Sequence, residues 1–160
     1  MFRHPLPMIV ATLTICASFM AIGQDSPAFA QGWDPSEFQL STDGPCSFEL
    51  TKASALLELR DSGNSKEEAA NALPAETGAS ALILKSILDD VYENPNVAHF
   101  PYFVYRNITC MRRHKGRPTP ATLAAVAPQV MACQGQFGVQ ASDHLISCIQ
   151  RAVKGGVPKS

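Results

Sequence analysis

The clearest chemistry in this 160-residue chain is carried by Cys46, Cys110, Cys133 and Cys148. An even set of thiols in an oxidising compartment reads as a disulfide framework. Of the three possible connectivities we favour Cys46 with Cys110 and Cys133 with Cys148. The second pair can staple a helical hairpin, and the first ties the start of the domain to its middle. In the chain-entropy description the shorter loop contributes about 3 kcal/mol and the longer about 4, against a typical folding stability of roughly 5–15 kcal/mol. The same thiols could hold zinc, but no two are two to four residues apart. His144 with Cys148, at i, i+4, is the helical pair that such a site would start from. The expectation is no metal and no cofactor.

Acid–base and nucleophilic chemistry find little support. Asp143 and His144 are adjacent, as are Asp89 and Asp90, and neighbouring helical side chains diverge rather than face each other. There is no G-x-S-x-G, no H-E-x-x-H and no phosphate-cradling glycine loop. Four cysteines that can all pair leave no nucleophile, so no catalytic residue and no enzyme activity are expected. Asn107-Ile108-Thr109 matches the N-glycosylation pattern, but it falls inside a predicted helix and is read as a chance match.

Charge is distributed unevenly. Residues 31–93 hold twelve acidic and four basic side chains, and residues 94–160 hold eight basic ones against Asp143 alone. The bland explanation is that the two halves attract each other, with the last cations also sitting favourably at a helix C-terminus. The functional one is that Arg112, Arg113, Lys115 and Arg117, beside His114, form an anion-binding patch for an acidic protein or an anionic lipid surface. Nucleic acid is not expected for a chain of net charge −1 and sequence pI near 6.4 without a recognised nucleic-acid module. Just before this cluster, four aromatic rings fall within residues 100–105. Phe100 and Val104 share one helical face while Tyr102 and Tyr105 point elsewhere. Either the helix is buried on several sides, with tyrosine hydroxyls at the rim, or Tyr102 and Tyr105 anchor a partner. Tyr102, Tyr105, Arg112, Arg113, Lys115 and Arg117 are therefore the candidate interface.

The first thirty residues supply the compartment. A basic start with Arg3 and His4, an apolar run from Leu6 to Gly23, and Ala28-Phe29-Ala30 read as a signal peptide cleaved before Gln31. A retained anchor is the rival reading, since the run is near the lower limit for spanning a bilayer. A lipoprotein signal at Cys16 is disfavoured by the bulky Ile15 before it. The expectation is an exported protein, periplasmic or secreted, with no stable membrane span after cleavage.

The elements that must position these side chains read as helices. After an irregular lead-in over 31–45, with Trp33 and Phe38 docking onto the body, a helix is predicted from Ser47 to about Ser62, with Gly63 past its end. Ser65 and Glu68 form a capping box for a short helix closed by Pro74. Helices are predicted over about Ser80 to Glu93, stopped by Asn94-Pro95, and over about Pro101 to Lys115, ended by Gly116 and Pro118. Thr119-Pro120 reads as the start of a fifth, which Pro128 should kink or split. Ser142 caps the last, with Leu145, Ile146, Ile149 and Val153 on one face and a mobile tail over 155–160. The fold class is all-α: five or six helices in one domain spanning 46–154.

Arg60-Asp61-x-Gly63, Glu67-Glu68-Ala69, Val91-Tyr92 and the helix-terminal Cys110 together resemble small exported α-helical proteins of proteobacteria, largely uncharacterised, over about residues 46–115. That resemblance implies an exported helical domain with a disulfide and implies no activity. Two function classes follow. One is a protein-binding module, such as an inhibitor, an immunity-type protein or an accessory subunit. The other is a stress or chaperone-like protein that exposes apolar surface when acid weakens the attraction between the acidic and basic halves.

Overall fold

A computed structural model describes residues 34–38 and 44–155. The expected leader, residues 31–33 and 39–43 of the lead-in, Trp33 among them, and residues 156–160 lie outside the described residues. Six α-helices follow one another: α1 (Ser47–Asp61), α2 (Lys66–Ala72), α3 (Gly78–Glu93), α4 (His99–His114), α5 (Ala127–Phe137) and α6 (Asp143–Gly155), with 3-10 turns at Pro35–Glu37 and Leu123–Ala125. No strand occurs among the described residues, and none of their helices is long and apolar enough to cross a membrane.

Helix boundaries follow local chemistry. α1 ends before Gly63, whose φ of 87° closes a left-handed turn that L side chains rarely adopt. Ser65 caps α2 reciprocally with Glu68: the Ser65 hydroxyl accepts from the Glu68 N–H, and the Glu68 carboxylate accepts from the Ser65 N–H at 2.7 Å. The segment after α4 differs from expectation. Thr119-Pro120 does not start a helix; the chain runs irregularly into the 3-10 turn, where the Leu123 N–H donates to the Asp90 carboxylate at 3.0 Å. Nor does Pro128 kink a helix. It lies in the first turn of α5, where the missing N–H would have had no helical partner and the fixed φ is already helical.

α4 is the central element. α1 packs against α3 and α4, and α6 packs against α4 and α5. Leu56 and Leu57 of α1, Ile87 of α3, Ile108 of α4, and Leu145 and Ile149 of α6 are wholly buried in one cluster, each contributing about 1.5–3 kcal/mol of transfer free energy. Two disulfides staple this frame. Cys46–Cys110 joins the N-terminus of α1 to the last turns of α4, and Cys133–Cys148 joins α5 to α6. These are the pairings favoured from the sequence.

Candidate functional site

The aromatic half of the predicted interface does not reach the surface. Tyr102 and Tyr105 are 1% and 2% exposed, because α4 is enclosed on several sides and both of its faces meet protein. Their rings lie 6.1 Å apart, and burial pushes both phenols above their ordinary range. The rim expected for the hydroxyls is not reached by Tyr102, whose hydroxyl is buried with no hydrogen-bond partner among the described residues. The glycosylation-like Asn107 and Thr109 are buried on the same helix.

Beside the tyrosines lies a buried ionic cluster. The Arg106 guanidinium is 2.8 Å from the Glu49 carboxylate and 3.4 Å from that of Asp90, and it donates to the Ser86 hydroxyl at 3.2 Å. Arg113 reaches Glu49 from the surface side at 2.7 Å. Burial raises the Asp90 carboxyl, and the Leu123 N–H and Arg106 offset only part of that shift. The cluster joins α1, α3 and α4; of its four charged groups Arg106, Glu49 and Asp90 are buried, and Arg113 alone reaches the surface.

The basic stretch ending α4 converges on the acidic lead-in. Glu37 is fully buried and accepts from Arg112 at 2.9 Å, from Gln150 at 2.8 Å, and from Arg117; Lys154 lies 3.4 Å away. Burial works to raise the Glu37 carboxyl, and Arg117, Arg112 and Lys154 overcome it and hold it below its ordinary value. Asp34 accepts from the Ser36 hydroxyl at 2.6 Å and from Arg117 at 3.2 Å, which brings its carboxyl down to about 2. Arg112 is buried, its guanidinium also donating to the Pro118 carbonyl at 2.9 Å. Lys115 is exposed and, among the described residues, donates only to Ser36, to the carbonyl at 2.6 Å and the hydroxyl at 2.8 Å. Of the predicted interface, then, Arg113, Lys115 and Arg117 present surface, and Arg112, Tyr102 and Tyr105 do not.

Sequence reasoning missed Glu37, Gln150 and Lys154 as members of this face. The halves' opposite charges pointed to pairing, but nothing local marked which carboxylate would be enclosed. It also passed over Cys110 and His114, an i, i+4 pair on α4. Their donor atoms and that of Cys46 lie within 4.8 Å of one another. With both sulfurs joined in the disulfide, the cluster offers an ion a single imidazole.

Between α1, α2 and α3, Leu56, Leu73, Leu84 and Leu88, together with Glu76 and Lys85, line a largely apolar groove of about 190 Å³. Leu82 on α3 is 72% exposed. No family model matches the chain, and no curated protein or solved structure matches it.

Proposed function

We propose that this is an exported, disulfide-stapled helical module that binds another protein of acidic character through the cationic face ending α4. The observation that carries the reading is Lys115, which among the described residues reaches the oxygens of Ser36 and no carboxylate. An exposed lysine without a carboxylate, flanked by the partly exposed Arg113 and Arg117, favours an acidic surface. Export is supported by two disulfides in a small domain and by the leader-like start of the sequence.

The test is a pull-down from envelope and culture-medium fractions with the oxidised protein, with Lys115→Glu as control. Lys115 is the appropriate position because Arg112 is committed to the fold. One stoichiometric protein, lost with Lys115→Glu, is the expected result; a partner retained equally by the variant would remove this face from the interaction.

A second reading, the chaperone-like one, is favoured by the apolar groove between α1 and α3 and the exposed Leu82. It predicts that an apolar-sensing dye gains fluorescence, and a client's aggregation is suppressed, as pH falls. A flat dye signal from neutral to acid pH would eliminate it.

A further inference from the structure

The acidic segment Asp34–Glu37 is held as a receptor holds a peptide. Gln150 reads its backbone with both ends of one amide: its carbonyl oxygen accepts the Asp34 N–H at 3.0 Å and its NH₂ donates to the Asp34 carbonyl at 3.0 Å. Charge is read separately, with Glu37 meeting Arg112, Arg117 and Lys154, and Asp34 meeting Arg117. Lys115 grips Ser36, one of the two residues between them, through its carbonyl and hydroxyl oxygens. These side chains come from α4, α6 and the loop after α4, all remote in sequence from the segment. The segment shapes itself, as a single 3-10 turn closed by the Glu37 N–H on the Asp34 carbonyl at 3.0 Å.

We propose that this cleft is a recognition site for acidic turn segments of the pattern Asp-x-x-Glu on a partner protein, and that residues 34–37 are its built-in occupant, which such a partner displaces. The inference rests on the protein-binding reading above and names the ligand class of that same face. Among the described residues Lys115 meets only the oxygens of Ser36 and no carboxylate, so a segment with a further acidic residue at that place fits better. Being tethered, the built-in segment competes at a high effective concentration, on the order of millimolar for a short linker. A free peptide therefore meets a nearly closed cleft in the native chain and an open one when the tethered segment is weakened.

The experiment uses the full chain expressed with its own leader and purified oxidised, as wild type and as Asp34→Asn with Glu37→Gln. The probe is a fluorescent synthetic peptide of residues 32–43, read by anisotropy. The expected result is saturable, salt-weakened binding to the variant, at least tenfold tighter than to wild type, and a further tenfold loss when Gln150→Ala is added. A variant with native helical signal that does not bind, or that binds an equally charged scrambled peptide as well, overturns the proposal. Should the variant fail to fold, hydrogen exchange at the Glu37 amide of the wild type decides: millimolar peptide must accelerate it, and an unchanged rate overturns the proposal. Failure here is distinguishable from failure of the binding reading. A partner captured by wild type, lost with Lys115→Glu, yet not competed by the peptide would refute the cleft while sustaining the module.

Discussion

Among individual residues, burial sorts the charges into those that specify the fold and those that do not. Arg106 is enclosed with Glu49 and Asp90, and both carboxylates are buried with it. Removing one member of such a set strands its partners away from water, at a cost of roughly 3–5 kcal/mol. Arg106→Ala is therefore expected to lower stability by about that amount in urea unfolding. The exposed i, i+4 pair Lys85–Asp89, at 2.6 Å, is shorter yet worth far less, because water screens it and long side chains must be ordered to make it. Lys85→Ala should change stability by less than about 0.5 kcal/mol, and an equal loss from both substitutions would contradict this ordering. Glu37 belongs with Arg106: its partners come from α4, the following loop and α6, so its burial is a tertiary event that no local sequence pattern announces.

At the level of elements, the short links do most of the positioning. The Cys133–Cys148 bridge closes the α5–α6 hairpin with a separation of 15 residues, a loop for which the unfolded-chain constraint is worth about 3 kcal/mol. Replacing both cysteines by alanine should cost about that much in denaturant unfolding while far-ultraviolet dichroism stays helical. Ser65→Ala should cost about 1 kcal/mol by opening the capping box of α2, measurable in the same way. Capping signals were legible because they lie within four residues of the end they mark. The stretch from Thr119 to Pro128 was not, since Thr119-Pro120 and Pro128 both match helix-start chemistry. The choice between them was made by Asp90, which takes the Leu123 N–H and fixes the 3-10 turn ahead of α5.

Across the whole molecule, the acidic and basic halves are held together by carboxylates whose titration sets the acid limit of stability. Asp34 is lowered from 3.8 to about 2, and Glu37 is lowered from 4.5. A depressed folded value means that the group stabilises the fold above its unfolded pKa and that this contribution is lost as pH falls through the folded one. Asp90 has the opposite sign: its carboxyl is raised from 3.8, so its ionisation costs stability as pH rises and its protonation offsets part of the acid loss. Melting temperature should be level near neutrality and fall below about pH 4.5, the unfolded value for Glu37. Glu37→Gln should start lower and fall less steeply. A variant whose acid slope equals that of the wild type would show that Glu37 does not govern this limit.

The sequence by itself determined what depends on neighbours along the chain: the helical class, the capping box at Ser65, the stop at Asn94-Pro95, and the chemistry of four cysteines able to pair. It also located the opposition of charge between the halves, because composition alone carries it. The tertiary structure decided which side chains of α4 face water. Periodicity can assign residues to faces, but it cannot say how many faces a helix will have covered. With α1 and α6 packed against α4 and the Arg106 cluster tying it to α3, Tyr102, Tyr105 and Arg112 became interior, while Lys115 stayed in water at the helix end. The same long-range closure brought Asp34 and Glu37 onto Gln150, so that the basic sequence run meets an acidic segment remote from it along the chain.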